Sequence, residues 1–183
     1  IHHFGKYDIN SIYEDWFSPI PPEDNECLYF FMTCSSLKDP DGGHAPKGYH
    51  NVEIMTGANY NTFKNWADRP SKKRGEDYQN LKEKIGKRLT SAAEGYIPNL
   101  SQRLDFIEYA TPLTNEYWAN AVKGGNYGPL QTPDQVGPGR FISQTAGIEG
   151  LFLAGAGTHG AGIMTCLQSG FQAGAKAVKY LQV

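Results

Sequence analysis

The chain of 183 residues carries 17 basic against 19 acidic groups, a formal net charge of −2. Such a balance lacks the basic excess of a nucleic-acid binder, and a hydrophobic share of 39% excludes a low-complexity disordered polymer. The length suits one domain, or a large piece of a bigger one, and allows a real core. The longest apolar runs, residues 27–32 and 151–154, fall far short of the roughly 18–20 residues that span a bilayer. The opening Ile1-His2-His3-Phe4-Gly5-Lys6 has no basic start followed by an apolar stretch, so no signal peptide is expected. It also lacks an initiator Met and reads as a fragment, a processed chain or a trimmed one. Cys27, Cys34 and Cys166 show no CxxC spacing, which points to a reducing compartment, cytoplasmic or organellar. The 21 Gly and 11 Pro exceed the usual share and announce many turns.

The segment up to residue 25 reads as irregular, with Tyr13, Trp16 and Phe17 before a Pro-rich stop. Residues 27–33 are short, aromatic and flanked by polar residues, the pattern of a buried strand. Turn chemistry follows at residues 38–43, Lys-Asp-Pro-Asp-Gly-Gly. A second strand over residues 50–56 alternates Val52, Ile54 and Thr56 with Asn51, Glu53 and Met55, which suggests an antiparallel pair. Residues 62–68 suggest a short helix with Phe63 and Trp66 on one face. The basic cluster Lys72-Lys73-Arg74 reads as a solvated loop rather than an anion site. From residue 76 to 95, Tyr78, Leu81, Ile85, Leu89 and Ala92 or Ala93 recur at three and four, an amphipathic helix ended by Gly95 and Pro98. Residues 103–110 alternate Leu104, Phe106 and Ile107 with charges and suggest a third strand. Pro112 then opens a short helix through residue 120. Beyond Lys123 the composition turns to Gly and Pro, a long irregular stretch of a kind that is usually functional or disordered.

The densest signal is the last 36 residues or so, where a short strand over residues 151–154 precedes Gly155, Gly157, Gly160 and Gly162. Without side chains, those glycines let a ligand touch the backbone. A helix over residues 163–181 points its first N–H groups into the same space, a site for a negative or electron-rich ligand group. Ser169, Gly170, Ala173, Gly174 and Ala177 give that helix a small-residue packing face. Gly155-Ala156-Gly157 with Gly160 fits the bare GxGxxG pattern, but the dinucleotide fingerprint opens a βαβ unit with an acidic residue about 20 residues on. Here the chain ends first, so the element suits the closing strand and helix of a Rossmann-like fold, or a glycine turn used only for packing. His159 sits in this turn; a lone His there is more often a hydrogen-bonding or gap-filling residue than a base. His2, His3, His44 and His50 show no metal-ligand spacing, and no residue stands out as a catalytic general base.

The run from Gly150 to Gly162 resembles the C-terminal flavin-contacting motif of the phytoene desaturase, carotenoid isomerase and retinol saturase family, FAD-dependent oxidoreductases related to the amine oxidases. Upstream motifs resemble the same family in the same order. They are Ser35-Ser36-Leu37-Lys38-Asp39-Pro40 with the Pro46-Lys47-Gly48-Tyr49-His50 that follows, Lys73-Arg74-Gly75-Glu76-Asp77-Tyr78, Thr111-Pro112-Leu113-Thr114-Asn115-Glu116-Tyr117, and Gly125-Asn126-Tyr127-Gly128-Pro129.

The resemblance implies an α+β chain. Residues 1–147 would be a substrate-domain portion with an antiparallel sheet and helices, and residues 148–183 the closing strand, glycine turn and helix of the FAD domain. It implies FAD as cofactor, approached by Gly155, Ala156, Gly157, Thr158, His159 and Gly162, with the Ile163 and Met164 N–H groups facing the flavin ring. Ala156 stands where many relatives carry an acid. Asn126 and Tyr127, with His159, are the substrate-side candidates. The implied partner is an apolar polyene or isoprenoid, carotenoid- or retinoid-like, undergoing desaturation, saturation or isomerisation. Peripheral membrane contact follows from that substrate class, and no nucleic acid is implied. The family's N-terminal FAD-binding portion has no counterpart in these residues. A stand-alone carotenoid- or lipid-binding module without redox activity, or an inert fragment, is the alternative reading.

Overall fold

The computed structural model describes residues 1–17, 29–130, 132–136 and 147–182. It is a mixture of helix and strand, an α+β chain, and divides into two compact units, residues 1–124 and 125–183.

The first unit is built on three short antiparallel strands: β1 (His2–Phe4), β2 (Tyr29–Thr33) and β3 (Glu53–Met55), in the order β1-β2-β3. The expected pair is β2 and β3, with Met32 opposite Ile54. β3 is shorter than the alternating pattern suggested, and Cys27 and Leu28 of the expected first strand lie outside the described residues. Up to residue 17 the opening segment is not irregular, and the rest of it, with its Pro-rich stop, lies outside the described residues. His3 lies opposite Phe30 in the ladder and stacks on its ring at 4.7 Å, while the terminal amine donates to Met32 O at 2.9 Å. Helix α1 (Ile9–Phe17) follows. Its start is set by Asp8, whose carboxylate accepts from Ser11 N at 3.2 Å, the usual job of an N-cap side chain.

The third strand therefore comes from the N-terminus and not from residues 103–110. Arg103 ends a 3₁₀ turn (Leu100–Arg103), residues 104–110 form no ladder, and Phe106 is 80% exposed. Alternation alone makes no strand; a strand needs a neighbour to take its N–H and C=O groups. Here the ring of Tyr109 instead lies on Gly86, so closely that a Cβ there would overlap it.

One turn, α2 (Ser35–Lys38), follows β2. The long helix α3 (Glu76–Ala93) starts where the periodicity predicted and serves two clusters. Ala93 and Leu100 pack with Phe30 and Met32 of the sheet, supported by Leu89 and Ile97. At the other end Tyr78 packs with Phe63 and Leu113, supported by Trp66, Leu81 and Ile85. Phe63 and Trp66 come from two consecutive 3₁₀ turns, Tyr60–Thr62 and Lys64–Trp66, rather than from one α-helix. Asn59 caps the first by accepting from Asn61 N at 2.8 Å, a tight local bond that favours the shorter turn.

Leu113 is supplied by α4 (Pro112–Ala119), which carries Pro in its first turn and a reciprocal Thr111–Thr114 capping box. The solvated-loop reading holds for Lys72 and Lys73, both exposed, but not for Arg74. Its side chain is buried, its Nη2 donates to Leu113 O at 3.4 Å, and the guanidinium lies 5.4 Å from the Tyr78 ring centroid. A delocalised cation tolerates such a site because an aromatic face and a carbonyl replace part of its hydration.

In the second unit the long helix α5 (Ile163–Leu181) matches its sequence pattern end to end. The short strand expected at residues 151–154 is not formed; Phe152 is a single bridge residue. A strand needs several successive residues paired in a ladder, and of this run Phe152 alone is paired. Gly137, Pro138 and Gly139 of the Gly-Pro stretch lie outside the described residues. The C-terminal half of α5 returns along the segment before the glycines: Tyr180 meets Phe152 with ring centroids 5.9 Å apart and donates to Glu149 Oε1 at 3.2 Å.

Candidate functional site

The glycine turn leads from Ala154 to the first residue of α5, and both ends are set by backbone geometry. Gly155 has φ +94° and Gly162, the residue before the helix, φ +100°, values an L side chain rarely adopts. Between them Thr158 is buried. Its N–H and its hydroxyl both donate to Gly155 O, at 3.1 and 3.0 Å, so the turn closes on itself and the Thr158 side chain faces inward. His159 is half-buried.

Open space lies outside the turn. A Cβ added at Gly155 or at Gly157 would meet nothing within 4 Å. Ile163 and Met164, 82% and 77% exposed, begin a helix of 19 residues that has no side-chain cap and no acidic residue in its first turn. The first N–H groups of a helix have no intrahelical acceptor, and the aligned peptide dipoles leave partial positive charge there. This corner of the fold is thus a bare backbone surface beside a donor-rich, mildly positive helix end. A flat or anionic group would find no side chain in its way.

Asn126 and Tyr127, expected on the substrate side, lie in the same unit and are both exposed. Their neighbour Gly128, φ +75°, backs directly on the turn. A Cβ there would sit 2.9 Å from Ala156 O and 3.2 Å from Gly157 Cα. The segment from Gly125 to Pro129 is thereby seated against Ala156 and Gly157. Structure brings together two motifs that the sequence separates by about 30 residues.

Sequence reasoning placed Ser169 only on a small-residue packing face. It is fully buried, accepts from Gly155 N at 2.7 Å and donates to Cys166 O at 2.8 Å. Thr165, one helical turn earlier, places its hydroxyl 2.9, 2.7 and 3.0 Å from the carbonyl oxygens of Gly160, Ala161 and Gly162. The available signal was the spacing: hydroxyls four apart share one helix face. Among the described residues no group of three metal-ligating side chains forms, and no helix is long and apolar enough to cross a membrane.

Fold and site together define an α+β chain with a glycine turn feeding a helix N-terminus. No protein-family model matches the chain, and no solved structure does. Among curated proteins it is similar to all-trans-retinol 13,14-reductases. It is 30% identical over 98 residues to that of Danio rerio, covering 54% of this chain and 16% of the relative. It is 27% identical over 140 residues to that of Rattus norvegicus, and 26% identical over the same length to that of Homo sapiens, each covering 75% of this chain and 23% of the relative. The matched stretch is less than a quarter of the length of these relatives. The similarity supports the retinol saturase arm of the family resemblance and not the phytoene desaturase or isomerase arms specifically.

Proposed function

We propose that this chain is part of an FAD-dependent oxidoreductase acting on a retinoid-like polyene, in which residues 148–183 complete the FAD-binding domain. Residues 1–147 then belong mostly to the substrate side. The observation that carries the reading is the empty space over Gly155 and Gly157 beside the uncapped first turn of α5. The residues fit the group: bare glycine backbone suits a flat ring, and unpaired N–H groups suit its electron-rich edge. Gly155, Ala156, Gly157 and Gly162 would hold it, with the Ile163 and Met164 N–H groups towards the ring. His159 would border it from within the turn. When bound, FAD supplies hydride transfer to or from a carbon of the conjugated chain, while the protein supplies position and polarity.

The chain's own contribution is to hold a backbone surface free of side chains and to set positive potential where electron density rises. In this reading residues 151–154 become a full strand when the rest of the FAD domain lies beside them, and α5 closes a Rossmann-like fold. Asn126 and Tyr127, carried next to the turn by Gly128, would meet the substrate end nearest the flavin. The first unit, taken by itself, offers apolar and aromatic surface on one face of its three-stranded sheet. Phe30 and Met32 point into the core, whereas His2, Phe4, Tyr29, Phe31 and Met55 share the other face. There Phe4 and Met55 are about half exposed, and Phe4 and Tyr29 lie 5.0 Å apart by ring centroid. Aromatic walls of this kind suit a flat conjugated chain. Such a substrate partitions into lipid, so the enzyme would work at a membrane surface.

Gly157→Ala tests the site. Its Cβ meets no protein atom, so melting should stay within about 0.5 kcal/mol of wild type, the usual range for a surface change, while the methyl stands in the cofactor's place. In the full-length polypeptide, saturating FAD should give flavin absorbance and release FAD on denaturation, and Gly157→Ala should abolish both. A wild-type protein that releases no flavin sinks the proposal. Co-purified polyene pigment without flavin would instead favour the binding-module alternative.

A further inference from the structure

We infer that Ser169 and Thr165 are positioning residues, two hydroxyls on successive turns of α5 that clamp the glycine turn at its entry and exit. This inference rests on the flavin reading of that turn. At the entry the direction of the bonds is decided by the contacts of Ser169. Its proton goes to Cys166 O at 2.8 Å, so the oxygen meets Gly155 N, 2.7 Å away, as an acceptor. Gly155 is the residue at φ +94°; this bond fixes the peptide plane that enters it, while Thr158 holds the plane that leaves it through Gly155 O. At the exit the Thr165 hydroxyl has one proton for three carbonyls, those of Gly160, Ala161 and Gly162, at 2.7–3.0 Å. That proton serves one of these oxygens at a time and ties the exit of the turn to the helix, with the first N–H groups of Ile163 and Met164 left for the ring. Oxygens turned outward here would repel an electron-rich ring. Ser169 is fully buried, so its oxygen serves the turn and not solvent.

The experiment is amide hydrogen exchange with parallel FAD titration on the full-length polypeptide, wild type against Ser169→Ala, Thr165→Val and Thr165→Ser. Removing the acceptor should speed exchange at Gly155 roughly tenfold, the equivalent of one modest hydrogen bond, while amides in the middle of α5 stay unchanged and report intact folding. FAD affinity should fall by a similar factor of about ten. Thr165→Val should weaken FAD without exposing Gly155, and Thr165→Ser, which keeps the donor, should restore wild-type binding. Unchanged Gly155 exchange in Ser169→Ala overturns the clamp whatever FAD does. Faster exchange with undiminished FAD affinity overturns the positioning role. Faster exchange in a protein whose wild type takes up no FAD supports the clamp and rejects the flavin reading, so the two failures are distinct.

Discussion

Gly128→Ala separates backbone strain from the close approach that seats the Asn126-Tyr127 segment on the glycine turn. Gly128 has φ +75°, and an L residue held there costs about 1–2 kcal/mol. Its new methyl would stand 2.9 Å from Ala156 O and 3.1 Å from the adjoining carbonyl carbon. Both are backbone atoms with no flexible end to swing aside. Overpacking of this type adds about 1–3 kcal/mol, for a total of about 2–5 kcal/mol. Gly150 is the internal control, because it has the same φ of +75° in the same unit, yet a Cβ there meets only Tyr180 at 3.7 Å, ordinary contact. Gly150→Ala should therefore show the strain alone. In urea denaturation followed by circular dichroism, the midpoint of Gly128→Ala should fall below that of Gly150→Ala by roughly 1 M, for a slope of about 1–2 kcal/mol/M. Equal midpoints would refute the claim that Gly128 is required for contact with the turn. A lower Gly128→Ala midpoint with unaltered flavin affinity would refute the link between that contact and the site.

Two further outcomes concern the first unit. Leu113→Ala empties a fully buried position between Phe63 and Tyr78 and should cost about 2–5 kcal/mol in a denaturation experiment. Asp77 is held below the usual aspartate range, first by the hydrogen bond from Trp66 Nε1, then, against an opposing desolvation, by the Tyr78 backbone N–H and the charge of Arg69. A depressed carboxylate contributes stability above its unfolded pKa and loses it as pH falls through the folded value. Trp66→Phe should thus move the Asp77 titration upward in an NMR pH series, lower stability at neutral pH and shrink the part of it that is lost on acidification. An unmoved titration would refute the assignment of Trp66 as its main cause.

Signals within a few residues were legible in the sequence. The apolar spacing of α3, Pro112 with its Thr111–Thr114 box, and the composition of α5 each marked a helix, because helical hydrogen bonds close between residues four apart. The glycines marked the turn for the same reason: φ above zero is a property of one residue. What only the tertiary structure decided was pairing across distance. His3 finds Phe30, which makes β1 a strand, while residues 103–110, with better alternation, find no ladder. The same holds at the site. Ser169 looked like a small packing residue until the chain brought Gly155 N–H to its oxygen, and the motif around Gly128 had no partner until Ala156 lay against it. A strand or a buried hydroxyl is defined by its partner, and the partner's position is a result of folding.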